Sequence, residues 1–161
     1  MKGNQVLLAS NPRGVFMEGP VSGTPKPGTI MQIKAATSLV NGRPTWEAYD
    51  RTADGNRPQG PLAVLLEDQL QGKIYSDAYT SGANCFLYVP VAGEELNLLV
   101  SAAGTSTGDS VAIGDLFIVD DGTGYLVATT GSPESEPFMS MEALSDVVAT
   151  GTMCHCIYTG Y

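Results

Sequence analysis

The sequence is poor in basic side chains. Its 161 residues include 8 Lys and Arg against 17 Asp and Glu, so the formal net charge at pH 7 is −9. Proteins that bind nucleic acid need a basic surface to displace counterions from phosphates. Anionic membrane surfaces attract basic segments for the same electrostatic reason. We therefore expect neither direct binding of nucleic acid nor a membrane partner.

Long apolar runs are also missing. No stretch approaches the roughly 20 apolar residues that a helix needs to cross a bilayer. The apolar run VLLA at residues 6–9 follows Lys2, but it is too short for the apolar region of a signal peptide. We expect the protein to stay in the compartment where it is made, or to leave that compartment inside a particle.

Cysteine and histidine are scarce, and three of the four lie in one run, Cys154-His155-Cys156. The remaining one is Cys85, and an odd number of cysteines without a secretion signal favours reduced thiols. In a strand, Cys154 and Cys156 would share one face and His155 would point to the other. Structural zinc sites have at least two residues between paired cysteines and need a fourth ligand. The run therefore favours buried cysteines over a metal site.

The stretch DRTADGNRPQGP, residues 50–61, matches the first half of a calcium-binding EF-hand loop. The twelfth position of that loop needs a bidentate Glu, but here it is Pro61, which has no side-chain oxygen. The flanking segments PTWEAYD and GPLAVLLED indicate strands rather than helices. We favour a tight turn here, with an ion site as the open alternative. The matching positions are Asp50, Thr52, Asp54 and Gly55.

Enzyme signatures are weak throughout the chain. The Gly-rich AAGTSTGDS lacks the Gly-Lys-Ser/Thr ending of a phosphate loop, so it has no lysine to meet a phosphate. Adjacent acid pairs stand beside predicted turns, where solvated surface charge is the usual role. We expect a protein that is not an enzyme, with no catalytic residue, cofactor or metal. These pairs are Glu67 with Asp68, Glu94 with Glu95, and Asp120 with Asp121.

What the sequence has in quantity is turn residues, with 19 Gly and 10 Pro among short apolar runs. This pattern predicts an all-β fold, a small β-barrel or β-sandwich of about eight to ten short strands with at most one short helix. Residues 138–149 fit either that helix or a strand. The predicted strands are TIMQIKAAT (half-buried), PTWEAYD, PLAVLLED (buried on both faces), NCFLYVPVAG with ELNLLVSA beside it in a meander, the hairpin DLFIVD and GYLVATT, and TMCHCIYTGY.

The chain divides into two predicted regions. Residues 1–27 contain two short apolar patches in a Gly- and Pro-rich context, which predicts an extended N-terminal arm that wraps a surface. Residues 28–161 are predicted to form a single β-rich domain. If the arm adds a strand to the sheet of a partner, its contact residues are Val6, Leu7, Leu8, Arg13, Val15 and Phe16.

A series of short motifs carries a resemblance to a known family. PGT at 27–29 is followed by WEAYDRTADG, PLAVLLED, DAYTSG at 77–82 and FLYVPVAGEEL. Over roughly residues 25–95 this order resembles the head decoration (cement) proteins of tailed bacteriophages, including the lambda-type group. The later IGDLFIVDDGTGYL resembles the hairpin of related head proteins, and SMEAL at 140–144 resembles the segment before their last strand.

The resemblance implies a structural function. Such proteins bind the outer surface of the expanded capsid, often as trimers, and bridge neighbouring subunits of the major capsid protein against internal DNA pressure. The implied localisation is the outside of the virion head, after synthesis in the host cytoplasm.

Two other classes of function remain open from the residues. A carbohydrate-binding β-sandwich on a virion or cell would present an exposed row of Tyr or Trp. A small enzyme would bring two carboxylates within about 5 to 10 Å of each other.

Overall fold

The computed structural model describes residues 5–8, 12–34, 39–40, 42–50, 61–68, 70, 74–102, 110–128, 137–148 and 150–160. These residues form twelve β-strands and no α-helix, so the predicted all-β fold is confirmed. The strands are β1 Val15–Pro20, β2 Ile30–Ile33, β3 Leu39–Val40, β4 Arg43–Pro44, β5 Trp46–Ala48, β6 Ala63–Leu65, β7 Asn84–Val89, β8 Glu95–Val100, β9 Leu116–Val119, β10 Leu126–Ala128, β11 Phe138–Ser140 and β12 Thr152–Tyr158.

The first sheet has five strands in the order β1-β7-β6-β2-β5, and every neighbouring pair is antiparallel. The longest pairing joins β1 to β7 over six residues, from Val15 opposite Val89 to Pro20 opposite Asn84. Just beyond β1, Val21 forms a parallel bridge to Trp46 in β5. The two ends of the sheet therefore approach each other, and the sheet curls around a small core. The pair β3 and β4 forms a separate two-stranded sheet.

The second sheet is a closed barrel in the order β10-β8-β12-β11-β9. Its hairpin β9–β10 turns at the DDGTG sequence, with Val119 opposite Leu126, and this confirms the predicted hairpin. Strand β8 pairs with β12 over six residues, but β10 closes the barrel through the single parallel pair Leu126–Val100. Most of one edge of β8 is therefore left to be covered by other segments.

Strand β6 separates two hydrophobic cores. Val64 belongs to the core that fills the barrel, and Ala63 and Leu65 belong to the core of the first sheet. All three side chains are buried. Successive side chains of a strand point to opposite faces, so a strand between two cores must be apolar at every position. The predicted strand buried on both faces is confirmed.

Three details depart from the sequence predictions. The expected meander of β7 and β8 is wrong, because the chain turns at Gly93 (φ +88°) and β8 leaves for the barrel. Strand β2 is more buried than predicted, since Ile30, Met31 and Gln32 are all buried. Residues 138–149 were predicted as helix or strand, and their described part contains strand β11 without a helix.

The described parts of the predicted N-terminal arm, residues 5–8 and 12–27, take part in the folded body. Residues Val15–Pro20 are the strand β1, and the side chains of Val6 and Val21 are buried in the two cores. The end of β1 packs closely against the Trp46 ring because Gly19 has no side chain. A Cβ on Gly19 would lie 2.7 Å from that ring. A Gly- and Pro-rich stretch can thus be a strand where it passes under a large aromatic ring.

Two further points concern the limits of the described residues. Residues 51–60, which contain most of the predicted turn or calcium loop, lie outside them, so that choice stays a prediction. In the part of the chain that is described, no helix is long and apolar enough to span a membrane.

Candidate functional site: the exposed edge of strand β1

Strand β1 is an edge of the first sheet. Its inner side pairs with β7, and β4 approaches only the far end of its outer side, where a Cβ on Gly19 would lie 3.1 Å from the Pro44 carbonyl oxygen. There, Arg43 lies 3.8 Å from the Glu18 carboxylate. Within the described ranges, no strand pairs with the outer side of Val15–Met17. An uncovered edge presents N–H and C=O groups that can template pairing with another chain. We call residues Arg13–Met17 the β1 edge.

The β1 edge is apolar, and no strand in the described part of the chain pairs with its outer side. The side chains of Val15 and Phe16 are 61% and 56% exposed. Phe16 stands opposite Tyr88, and their ring centroids are 4.9 Å apart, so the exposed ring rests on a buried one. Val91, in the turn after β7, is 41% exposed. Exposed apolar side chains along a strand edge are usually blunted by charge in proteins that do not associate. This edge therefore has the properties of a contact surface for another protein.

A buried carboxylate holds the beginning of the β1 edge in place. Glu94 is only 4% exposed. Its carboxylate accepts hydrogen bonds from the Tyr88 hydroxyl at 2.6 Å, from the Arg13 N–H at 2.6 Å and from the Val91 N–H at 2.9 Å. The Tyr88 oxygen in turn accepts the Gly14 N–H at 2.7 Å. The turn between β7 and β8 is thereby tied to the residues that enter β1.

The electrostatics of this cluster favour an ionised Glu94. Burial by itself would raise the pKa of Glu94, but the hydrogen bonds from Tyr88 and from the backbone N–H groups of Arg13 and Val91 lower it below the ordinary value of 4.5. Burial and the hydrogen bond to Glu94 raise the pKa of Tyr88 to about 12. At neutral pH the carboxylate is therefore charged and the phenol keeps its proton, which is the pairing the short hydrogen bonds require.

The one cation of the β1 edge is Arg13. Its guanidinium donates a hydrogen bond to the Ala92 carbonyl oxygen at 3.1 Å, and the residue is exposed. A guanidinium has five donors, so this contact leaves others directed to solvent. The β1 edge thus combines apolar side chains, an outer side at Val15–Met17 that no described strand pairs with, and one positive charge on a protein whose net charge is −9.

The structure divides the six predicted contact residues into two groups. Arg13, Val15 and Phe16 lie together on the β1 edge. Val6, Leu7 and Leu8 lie beside β8, where Leu7 bridges to Leu96. The side chain of Val6 has 0% exposure, so in this arrangement it packs in the core and touches no outside partner.

The prediction that all paired acids are solvated surface charge is wrong for two of them. Glu94 and Asp68 are buried, at 4% and 3% exposure. Sequence reasoning missed Glu94, although Tyr88 six residues earlier in the same turn region was a possible signal. Glu95, by contrast, is exposed, and one of its oxygens lies 3.0 Å from Nε2 of His155.

The cysteines are placed as predicted. Cys85, Cys154 and Cys156 are buried reduced thiols, and His155 points to the opposite face of β12 from its two neighbours. Burial raises the pKa of the Cys85 thiol to about 12. No group of three His, Cys, Asp or Glu side chains that could hold a metal occurs among the residues the structure describes.

A second surface feature is an open cleft of about 400 Å³ between the first sheet and the β9–β10 turn. Glu47 and Asp50 line one wall, and Thr123 and Tyr125 line the other. Lys34 lies 3.8 Å from the Glu47 carboxylate and donates a hydrogen bond to the Ser22 hydroxyl at 3.0 Å. The wall nearest β5 is therefore partly neutralised.

Comparison of the chain with models of known protein families and with curated proteins finds no match.

Proposed function

We propose that this protein is a structural virion protein that binds the outer surface of a phage capsid as a decoration, or cement, protein and stabilises the expanded head. The partner in this proposal is the major capsid protein, and the protein acts as a homotrimer on the outside of the head. The observation that carries the proposal is the β1 edge, whose outer side pairs with no described strand at Val15–Met17 and which carries two exposed apolar side chains and an adjacent Arg13.

The physical argument is that a sheet edge can bind an extended segment without any dedicated pocket. Backbone hydrogen bonds supply affinity, and the side chains of alternate residues supply selectivity. Val15 and Phe16 project to opposite faces of the strand, so a strand added at this edge would find apolar contacts on both faces. Many copies bound side by side on a particle gain strength through effective concentration.

Two further features support the choice of partner. The short motifs at residues 25–95 resemble those of phage head decoration proteins. The net charge of −9 suits a protein that covers a particle in a cytoplasm rich in nucleic acid, because it disfavours unspecific binding to phosphates.

The proposal is tested on purified particles. We expect the protein to co-sediment with DNA-filled heads at close to one copy per capsid subunit, and purified protein to rebind to stripped heads. The variant Val15→Lys should lose at least about tenfold in affinity for stripped heads, because a charge on a strand edge opposes pairing. A deletion of the arm is a poorer test, since residues 1–24 include all of β1.

The matched control is Ile113→Lys. Ile113 is 70% exposed and lies in the turn before β9, a strand of the barrel. This variant should bind heads as the unmodified protein does. Absence of the protein from particles would refute the decoration function itself, and equal loss in both variants would refute the role of the β1 edge.

The alternative function is a carbohydrate-binding module of a virion or cell surface. The cleft beside Tyr125 is the observation that supports it, because an aromatic ring next to carboxylates suits a sugar. Fewer observations support this alternative than support the β1 edge. The side chains of Trp46, Tyr79 and Tyr88 are fully buried, so they cannot belong to an exposed row of aromatic rings that binds a sugar. Binding to a glycan panel that Tyr125→Ala abolishes would favour this alternative.

A further inference from the structure

Residues 5–8 complete an edge that the barrel leaves open. Strand β8 pairs along one side with β12, and on its other side β10 reaches only Val100. The Gly28 carbonyl accepts the Leu99 N–H at 3.1 Å. The rest of that side, residues 95–98, is covered by the N-terminal segment, with Leu7 antiparallel to Leu96.

The contacts of this segment are those of a short added strand. The Val6 carbonyl accepts the Asn97 N–H at 2.6 Å, and the Leu8 N–H donates to the Glu95 carbonyl at 3.3 Å. The Asn97 side chain donates to the Gln5 carbonyl at 2.6 Å. Backbone hydrogen bonds thus fix the register, as they do when a peptide adds to a sheet edge.

The Val6 side chain and the Glu67 carboxylate make the groove beside β8 selective for this segment. The Val6 side chain has 0% exposure and packs with Leu96, Leu98 and the other residues of the barrel core. Its backbone N–H donates to the Glu67 carboxylate at 2.6 Å. Withdrawal of the segment would open a hole in the core and leave both β8 and Glu67 without these partners. The groove beside β8 therefore holds one apolar side chain, that of Val6. The backbone N–H of Val6 is bound by Glu67 and its carbonyl by Asn97.

The segment is held separately from the strand that follows it. Arg13 and Gly14 are fixed by Glu94 and Tyr88, so β1 keeps its place whether or not residues 5–8 are seated. Only residues 9–12 connect the two. A short segment with its own binding groove and an independently anchored strand behind it meets the conditions for exchange between identical subunits.

We propose that the side of β8 that residues 5–8 cover, at residues 95–98, is a strand-acceptor site that can instead take residues 5–8 from a second copy of this chain. The second copy is the occupant because its segment has the same side chains in the same order, so every contact described above is kept. The exchange links copies to each other through a surface distinct from the β1 edge. It does not depend on the proposed capsid function and goes beyond it.

Cysteine cross-linking between full-length chains tests this exchange. Leu8 and Glu95 face each other in the antiparallel register, and the native cysteines are buried. One chain carries Leu8→Cys and the other Glu95→Cys, and the two are mixed under mild oxidation. Because a short linker gives an effective concentration in the millimolar range, exchange should become visible as the protein approaches about 1 mM. There we expect covalent heterodimer about tenfold above a collision control that pairs Leu8→Cys with Ile113→Cys.

A double variant with both substitutions in one chain checks the geometry. It should close a disulfide within the chain at low concentration, because residues 5–8 then pair with their own β8. The exchange is overturned if the double variant closes but the mixed chains give no more heterodimer than the collision control. Failure of the double variant to close would overturn the strand pairing on which the proposal rests.

Discussion

The hydrogen-bonded cluster of Glu94 leads to a quantitative prediction about stability. The substitution Glu94→Ala removes the acceptor for the Tyr88 hydroxyl and for the N–H groups of Arg13 and Val91. A hydrogen bond to a charged group contributes about 1.5 to 3 kcal/mol, and less where water can replace the lost partner. The Tyr88 hydroxyl is buried, whereas Arg13 and Val91 are exposed. We therefore expect a loss of about 3 kcal/mol in the free energy of unfolding.

Urea unfolding at pH 7 measures this loss, and thermal unfolding should show a melting temperature lower by roughly 6 to 12 °C for a chain of this size. The matched control is Glu95→Ala, which removes the neighbouring exposed carboxylate. Its contact with His155 is a surface pair, so we expect a change below about 1 kcal/mol. Equal effects of the two substitutions would show that the buried cluster contributes nothing beyond an ordinary surface charge.

The pH dependence provides an independent check of the same cluster. The pKa of Glu94 is lowered in the folded protein, so its stabilising effect is fully present above the ordinary value of 4.5. That effect is lost as the pH falls through the lowered folded value. The difference in unfolding free energy between the unmodified protein and Glu94→Ala should therefore be constant near pH 7 and should shrink in acid below about pH 4.5. A difference that stays constant down to pH 2 would contradict the role of the charge.

Three further predictions follow from buried or close-packed groups. Burial raises the pKa of Glu67, so Glu67→Gln should gain stability relative to the unmodified protein as the pH rises above 4.5, and urea titrations at several pH values measure this. Gly124→Ala should lower the free energy of unfolding by more than about 2 kcal/mol, because the new Cβ would overlap the Ile30 carbonyl oxygen. In the control Gly122→Ala the new Cβ has no atom within 4 Å, so we expect a loss of only about 1 to 2 kcal/mol from backbone strain, and urea unfolding measures both. The thiols of Cys85, Cys154 and Cys156 should react with a maleimide only after unfolding, and rapid labelling of the native protein would contradict their burial.

Much of the fold could be predicted because its signals are local. The hairpin β9–β10 follows from the turn residues of DDGTG between two apolar runs. The burial of β6 follows from a strand that is apolar at every position, and the opposite faces of Cys154 and His155 follow from the two-residue period of a strand.

The remaining features depend on contacts between distant parts of the chain. β7 ends at Val89 and the chain turns at Gly93, but no residue of that turn indicates that β8 will pair with β12 and not with β7. Glu94 is buried because Arg13, 81 residues earlier in the sequence, brings an N–H to it. A pair of adjacent acids gives no indication of such a partner. The sequence predicts Arg13, Val15 and Phe16 as contact residues on an extended arm, whereas the structure places Val15 and Phe16 in β1, a strand of the first sheet.

The long pairing of β1 with β7 has a mechanical consequence. A load applied along β1 would act in shear on six consecutive residue pairs, which must break together instead of one after another. Where β1 begins, the hydrogen bond from the Arg13 N–H to the Glu94 carboxylate passes the load to the residues that begin β8. The load thus reaches the barrel through a hydrogen bond to a charged group. Force at one edge is thereby spread over both cores.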